Sequence, residues 1–418
     1  MAALAYSAPS NSDVNAVWRS VQGPLSEMIN FEVEEFDNLD TFDKEQSAWS
    51  LRAVTFPGDI NEGGNVALIP ESGSEGIPFS PNALDFTLTP THYNVRFAAS
   101  KLAMFADKNG GDNQIKSELM FRGTHAIRAL SRAVGDDFWG FSTGILALTD
   151  TDITASIAAT VTVTLTKGYG VTGITDAAYI SRMFKPKEWV AILDSGTYRT
   201  TARVVSINTS AVMVLDSFSA ALTTTTNGLQ IVRSNAVEQT QTSYNRALVG
   251  MLDGLTTASV QGQTSATYPN WSVAYSDTAA GRFSGTKMHY AKDEISNYGV
   301  GAPDTCWIAQ GVYRDLVAQM QSSYRTSDPL GIQIDGAAKS KGIQFVSTRR
   351  TPPGYVVVGR KKSVQRWQLN PKPGKAFAWR DGKEPTNDSY MLFSADFPLQ
   401  LAWKSRKSFA YFSSQTSQ

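Results

Sequence analysis

Residues 109–140 have the sequence NGGDNQIKSELMFRGTHAIRALSRAVGDDFWG, and they decide how the whole chain is interpreted. Asp112 follows a Gly-Gly break and is a good N-cap, and no proline interrupts the residues after it. Apolar residues recur with the helical period and form one stripe: Ile115, Leu119, Ala126, Leu130, Val134 and Phe138. The pattern predicts a helix over 112–139, roughly 40 Å long. So long a helix needs a long surface against which to bury its stripe.

Length and composition define the class of protein. The chain has 418 residues, enough for two or three domains, with 38 basic and 38 acidic side chains. Cys306 is its one cysteine, which excludes an intrachain disulfide and favours a reducing compartment. The first residues lack the pattern of a signal peptide, and no apolar run approaches the roughly 20 residues that cross a bilayer. We therefore expect a soluble protein, made and used in a cytoplasm.

The charges are unevenly distributed along the chain. Residues 1–45 contain nine acidic residues and two basic ones, whereas residues 336–380 contain eleven basic residues and no acidic one. Opposite charge at the two ends favours complementary contacts, within one chain or between copies, and two unrelated solvated faces are the alternative. Tyr355, Trp367 and Trp379 lie in the basic segment, so a nucleic-acid face is conceivable. The alternating pattern favours contact with a partner, because it predicts that the aromatic rings pack inward.

Local patterns indicate an α+β chain with a segmented organisation. Residues 1–44 are polar and acidic, and we expect an arm that becomes ordered on a neighbour. Strand patterns on both sides of a glycine- and proline-rich stretch predict a large hairpin over 45–100, which needs another surface for stability. Short β-branched runs separated by turns predict a small all-β unit inserted at 151–235. Mixed α/β patterns follow over 236–345.

Three motifs resemble functional signatures. GFSTG (140–144) fits the nucleophile elbow of hydrolases, but a helix instead of a strand precedes its serine. GYGVTG (168–173), with Asp194 downstream, fits a dinucleotide-binding loop, although a glycine-rich turn in a β module is favoured. AILDSGT (191–197) resembles an aspartic-protease turn, but that chemistry needs two carboxylates sharing a proton. The three histidines lie in unrelated elements, so the sequence predicts no metal site, no cofactor and no enzymatic activity.

The order of these parts resembles that of the major capsid proteins of tailed bacteriophages, which share the Hong Kong 97-type fold. Residues 49–105 look like the extended loop (E-loop) and its return strand, and residues 113–140 look like the spine helix. LVGMLDGL (248–255) with YPNWSV (268–273) is similar to the segment that leads into the axial domain. GVGAPDTCWIAQGVYRDLVAQM (299–320) looks like the strand-and-helix core of that domain.

The resemblance implies a Hong Kong 97-like capsid fold with an inserted β-barrel-like domain. The expected parts are an N-terminal arm (1–44), an extended hairpin loop (45–100), a peripheral domain (101–150 and 346–403) with spine helix 112–139, an inserted domain (151–235), an axial domain (236–345) and a C-terminal tail (404–418). The hairpin tip contains no lysine, so a lysine cross-link there is not expected.

The function implied is that of a structural subunit. Copies would assemble as hexamers and pentamers into an icosahedral shell around double-stranded DNA, in the cytoplasm of a bacterial host and then in the virion. The resemblance also implies a separate scaffolding protein, a portal protein, a decoration protein, non-specific contact with the packaged DNA and no membrane partner. The alternatives are a nucleotide-binding enzyme that uses the GYGVTG loop, and a decoration or tail protein.

Contacts between subunits are expected at both charged ends and in the hairpin, with the arm pairing with the basic segment of a neighbouring copy. The candidate residues are Glu32, Glu34, Glu35, Trp49, Arg52, Phe56, Arg349, Arg350, Arg360, Lys361, Lys362 and Arg366. Gly123 lies in the middle of the long helix, where glycine costs about 1 kcal/mol of helix stability. We therefore predict a helix bend at Gly123.

Overall fold

The structure of this chain, a computed structural model, contains two compact units. Unit 1 comprises Met1–Val54, Leu88–Gly135 and Gln365–Ala402, and unit 2 comprises Thr55–Thr87, Asp136–Val364 and Trp403–Gln418. The residues described by the structure are 14–15, 17–22, 25, 39–45, 54–59, 83–100, 112–150, 153–222, 228–234, 247–298, 301–323, 339–340, 342–370, 378–383 and 390–416.

Short strands alternate with a few helices along the chain. The strands are β1 (Asp40–Glu45), β2 (Val54–Asp59), β3 (Ala83–Leu88), β4 (Thr91–Ser100), β5 (Ile145–Thr149), β6 (Val161–Gly168), β7 (Trp189–Asp194), β8 (Thr197–Ile207), β9 (Val212–Asp216), β10 (Gln230–Arg233), β11 (Ser259–Val260), β12 (Gln263–Thr264), β13 (Tyr275–Asp277), β14 (Thr305–Ile308), β15 (Lys339–Ser340), β16 (Ile343–Val346), β17 (Val356–Gly359), β18 (Val364–Asn370), β19 (Ala378–Lys383), β20 (Tyr390–Trp403) and β21 (Phe409–Phe412). The α-helices are α1 (Asp112–Trp139), α2 (Ala177–Ser181), α3 (Met251–Thr256), α4 (Gly285–Tyr298) and α5 (Gln310–Ser323).

Helix α1 is continuous over 28 residues and begins at Asp112, where the sequence pattern starts. Its apolar stripe is buried, since no described stripe residue is more than 8% exposed: Leu119, Ala126, Leu130, Val134 and Phe138. Arg128 lies off the stripe and is exposed. The stripe, and not helix propensity alone, therefore accounts for the length of the helix.

The sheet of unit 1 has the strand order β1-β18-β20-β19, and β4 also pairs with β20. β4 is antiparallel to β20 over ten residue pairs, from Tyr390–Ser100 to Leu399–Thr91. An aromatic cluster forms the core beside it. The ring of Trp18 lies 4.8 Å from that of Phe393 and 5.0 Å from that of Trp379, and Phe97 stacks on Phe393 at 5.1 Å.

The N-terminal residues differ from the predicted arm. Val14, Trp18, Val21 and Leu25 are helical where the structure describes them, and each is at most 2% exposed. Their spacing of four, three and four residues is a short apolar stripe, too brief to stand out in a polar and acidic segment. These four residues therefore pack within their own subunit. The arm predicted over 1–44 stays a prediction for the other residues, most of which lie outside the described part of the chain.

Gly123 is a contact point for these N-terminal residues. A Cβ atom added at Gly123 would lie 2.6 Å from Cδ1 of Leu25, closer than packed atoms allow. The glycine thus gives Leu25 its place against α1. The predicted bend at Gly123 stays a prediction, and the contact offers a packing reason for the same residue.

The main sheet of unit 2 has the strand order β13-β21-β17-β14-β16-β15, and its core includes apolar residues of α4 and α5. Central strands are buried along their whole length: all four residues of β14 and of β17 are buried. Strands covered on both faces carry continuous apolar runs instead of alternation. That arrangement accounts for the runs TCWI and VVVG.

The second component of unit 2 is a closed six-stranded barrel with the order β10-β5-β6-β9-β8-β7. Every neighbouring pair is antiparallel, and β10 closes the barrel against β7. Val163, Val204 and Met213 are fully buried inside it. Inward apolar residues fill a barrel of this size, so it is a packed domain.

Three predicted domain boundaries need correction. β5 precedes residue 151 but belongs to the barrel. β17 falls in the range 346–403, which we assigned to the peripheral domain, yet it pairs with β14 in unit 2. β21 falls in the predicted tail, 404–418, and is a central strand of the same sheet. These strands have only four or five residues, so their runs were too short to identify their partners.

A buried ion cluster joins the end of α1 to the barrel. Arg233 Nη2 lies 2.5 Å from Asp136 Oδ2, and Nη1 lies 3.0 Å from Asp137 Oδ1. Its Nε lies 3.4 Å from Glu188 Oε1. Burial opposes the charge on Arg233, but the three carboxylates outweigh it and raise the pKa of the guanidinium above its ordinary value. Arg233 therefore stays charged at physiological pH.

Two glycines of LVGMLDGL allow close approaches that a Cβ atom would prevent. A Cβ at Gly250 would lie 2.5 Å from the carbonyl oxygen of Gly140, just after α1. A Cβ at Gly254 would lie 2.0 Å from Cζ2 of Trp403, whose indole nitrogen donates to the Val249 carbonyl at 3.3 Å. The segment thus needs small residues at both positions.

Substitution of Gly254 by alanine should destabilise unit 2 by about 2 kcal/mol, because the buried Trp403 ring cannot move away without strain. Gly285→Ala is the matched control, since a Cβ there meets nothing within 4 Å. Chemical unfolding of the two variants measures the difference. Equal midpoints would contradict the close approach.

Replacing Arg233 with methionine should destabilise the chain by about 3 kcal/mol or more, because carboxylates are left buried without their cation. Arg203→Met removes an exposed ion pair with Asp216, 2.7 Å long in the barrel, and should leave the unfolding midpoint unchanged. If both variants unfold alike, the Arg233 cluster does not stabilise the junction of α1 with the barrel.

Gly123→Ala should cost about 1 kcal/mol in the native background, through the clash with Leu25. In a Leu25→Ala background the same change should be neutral or stabilising, because alanine is the better helix former. A four-variant unfolding cycle tests this. An equal loss in both backgrounds would favour the bend over the packing contact.

Candidate subunit-contact surfaces

Part of the acidic segment pairs with part of the basic segment within one chain, through a β-ladder. β1, which contains three of the acidic residues, is parallel to β18 in the basic segment. Their register pairs Asp40 with Gln365 and Thr41 with Arg366. Parts of the acidic and basic segments therefore lie side by side inside unit 1. Contact within one chain is one of the alternatives that the charge distribution left open.

Several predicted contact residues cannot be placed. Glu32, Glu34, Glu35, Trp49 and Arg52 lie outside the described residues. Phe56 lies in β2, which forms a two-stranded sheet with β3 across the residues of the predicted hairpin.

Arg350 and Arg366 do not have the exposed positions that we predicted. Arg350 is 8% exposed and Arg366 is 4% exposed. Trp367 and Gln368, the next residues of β18, are also buried, so both faces of this strand are covered. Alternation predicted that the aromatic rings pack inward, and Trp367 is buried, but Arg366 beside it is buried as well. In this subunit, the two side chains are not available to a neighbour.

The other predicted basic residues are at least partly accessible. Arg349 and Lys362 are exposed, whereas Arg360 and Lys361 are half-buried. The backbone N–H of Lys361 donates to Asp304 Oδ1 at 2.9 Å, which fixes the 3₁₀ turn Lys361–Ser363 at the end of β17. These four residues remain candidates for contact with a partner.

The GYGVTG loop has a structural role, because it forms a buried hydrogen bond with the end of α1. Tyr169 has a φ of 53°, and its hydroxyl donates to the Asp136 carbonyl at 2.7 Å. The hydroxyl of Tyr179, on α2, donates to the Arg350 carbonyl at 2.7 Å. Burial raises the pKa of both tyrosines. A dinucleotide site needs parallel strands, and β6 is antiparallel to both its neighbours, so the enzyme alternative loses its structural basis.

The two remaining motifs are turns. Ser195 and Gly196 have φ values of 51° and 83° in the tight hairpin between β7 and β8, and Asp194 Oδ2 pairs with Arg199 at 2.7 Å. Ser142 follows α1, and its N–H donates to Asp253 Oδ2 at 2.9 Å. A helix precedes that serine where an elbow needs a strand. Both motifs therefore have structural roles.

Phe121 is an exposed aromatic residue on α1 that was not among the contact residues predicted from the sequence. Phe121 is 62% exposed, and its ring lies 4.5 Å from the ring of His125 on the same helix. Tyr290 and Tyr298 are likewise exposed on α4. Phe121 lies off the apolar stripe, which was a signal present in the sequence. Single exposed aromatic residues are common at protein surfaces, so Phe121 alone does not define an interface.

Within the described part of the chain, no helix is long and apolar enough to cross a membrane. Among the same residues, no three His, Cys, Asp or Glu side chains are grouped as a metal site would require. Cys306 is buried in β14, and burial raises the pKa of its thiol.

The solved structures to which this chain is similar include subunits of phage capsids. A chain of the cyanophage A-1(L) capsid asymmetric unit matches 92% of this chain over 93% of its own length, with 10% identity and a TM-score of 0.56. The procapsid of satellite phage P4 gives 7% identity, coverage of 94% and 90%, and a TM-score of 0.46. An encapsulin complex from Synechococcus elongatus gives 8%, 99% and 92%, and 0.44. At these last two scores the likeness adds nothing to the argument.

Comparison at the level of sequence gives no match: no family model and no curated protein matches the chain. The fold likeness spans nearly the whole of both chains in the cyanophage comparison. It confirms the resemblance to tailed-phage capsid proteins that the sequence indicated. The chain therefore has the fold of a bacteriophage capsid protein.

Proposed function

We propose that this chain is the major capsid protein of a tailed double-stranded DNA phage, a structural protein and not an enzyme. Copies assemble as hexamers and pentamers into an icosahedral shell that encloses the genome. The observation that carries the proposal is the likeness to the cyanophage capsid chain over 92% of the residues. A subunit fold matched from end to end leaves little of the chain for a different activity.

The parts of the chain fit the roles of a shell subunit. Helix α1 is the spine, β2 and β3 belong to the extended loop, and unit 1 supplies the peripheral domain. The six-stranded sheet with α4 and α5 is the axial domain, and the barrel is an insertion. β3 is supported within the subunit, where the ring of Phe86 lies 4.5 Å from that of Trp271. A two-stranded sheet is marginal in water, so a neighbouring copy adds to the stability of β2 and β3.

Assembly would require other components. A separate scaffolding protein guides closure in the bacterial cytoplasm, a portal protein occupies one vertex, and a decoration protein can cover the finished shell. Packaged DNA is contacted without sequence preference. Closed symmetry multiplies modest contact areas between copies into a stable virion.

Electron microscopy and sedimentation of the full chain, co-expressed with the scaffolding protein of its phage, test the proposal. We expect closed shells of uniform size. A discrete soluble oligomer, or tubes with no closed particles, would contradict it.

A further inference from the structure

An arginine-lined cleft of about 320 Å³ lies at the N-terminal end of α5, entirely within unit 2. Arg314 comes from α5 itself, Arg182 follows α2, and Arg349 lies between β16 and β17. Three parts of the chain that are distant in sequence thus bring a cation each to one concave surface. Arg349 is one of the contact residues expected from the sequence, whereas no sequence pattern pointed to Arg182 or Arg314.

The positive charge in the cleft is poorly compensated. Asp176 provides the one carboxylate among the described residues of the lining, and its Oδ1 accepts a hydrogen bond from the N–H of Tyr179 at 2.8 Å. Within the described chain, no ion pair involves Arg314 or Arg349, and both are exposed. The guanidinium of Arg182 lies 4.0 Å from the centroid of the Tyr179 ring, which holds it in place.

The end of α5 adds to this charge. No acidic residue occupies its first turn, and the backbone N–H groups of Gln310, Gly311 and Val312 precede the first intrahelical bonds. The positive end of the helix dipole disfavours cations nearby and attracts anions. Three arginines therefore line a cleft that also contains the positive end of a helix dipole. Both features attract an anionic ligand.

The shape and chemistry of the cleft favour carboxylate side chains as the ligand. The guanidinium fork matches a carboxylate or a phosphate in bidentate geometry, so the shape of the cleft decides between them. A cleft of this volume admits a few side chains, whereas a DNA duplex is convex and would touch only the rim. The chain itself supplies suitable groups, because Glu32, Glu34 and Glu35 lie close together in its acidic segment.

We propose that the cleft lined by Arg182, Arg314 and Arg349 binds the acidic residues around Glu32–Glu35 of a neighbouring copy in the shell. The inference rests on the proposed capsid function and names a docking site for that assembly. It also refines the expected pairing of the acidic and basic segments. Arg350 and Arg366 are buried, and the proposed contact uses Arg182 and Arg314, which lie outside the basic segment, together with Arg349.

Charge reversal and charge exchange test the proposal. The cleft variant is Arg314→Glu with Arg349→Glu, and Arg182 is kept because it stacks on Tyr179. The arm variant replaces Glu32, Glu34 and Glu35 with lysine. Each should lower the yield of closed shells by about tenfold or more, and combining both sets in one chain should restore most of it.

Matched controls separate docking from general charge effects. Lys185→Glu with Lys404→Glu reverses two exposed lysines outside the cleft lining and should assemble normally. Unfolding midpoints of all variants should equal that of the native chain, since the altered arginines are exposed. Co-expression of the cleft and arm variants should give partial shell formation, because one copy then has a native arm and the other a native cleft.

The outcomes discriminate among the possibilities. If the native chain forms no shells, the proposed function fails, whatever the variants do. If the native chain and the cleft variant assemble equally well, only the docking inference fails. Rescue in the combined chain without any rescue on co-expression would place the contact within one subunit and overturn the neighbour. Shells of normal yield that package less DNA in the cleft variant alone would assign the arginines to nucleic acid.

Discussion

Several elements of unit 2 are held in place by contacts with the C-terminal turn of α1. Asp136 and Asp137 add negative charge at the end of a helix that is already negative, an arrangement that is unfavourable without a cation. Arg233 of the barrel supplies it. The same turn also accepts a hydrogen bond from Tyr169 and approaches Gly250 closely through its carbonyl groups. The barrel, the glycine-rich loop and α3 are thus all anchored to one turn, so a change there affects three elements together.

Arginine has two different uses in this fold. Arg233 is largely buried, and each nitrogen of its guanidinium faces a carboxylate, so its charge contributes to the stability of a single subunit. Arg314 and Arg349 lie at the surface near a helix N-terminus, and no ion pair involves them within the described chain. Cations in such a position fit the proposed assembly, because a neighbouring copy then supplies the carboxylates.

Sequence patterns predicted the elements that are long and periodic. Asp112 and the apolar stripe located α1 to the residue, and repeated β-branched runs indicated the small all-β unit. They failed where an element is short or covered on both faces. β5 and β21 were too brief to reveal their partners, and the buried Arg366 broke the expected alternation. The cleft could not be predicted, because Arg182, Arg314 and Arg349 are brought together only by tertiary folding.

The way in which the barrel closes affects where the chain can accept a different domain. Val232 of the last barrel strand pairs with Ile145 of the first, so the chain enters and leaves the domain at adjacent points. The residues between them therefore form a single insertion in the remaining fold. Foreign domains are tolerated best where both termini meet at one place. The barrel is therefore the natural position at which another module could be exchanged without redirecting the rest of the chain.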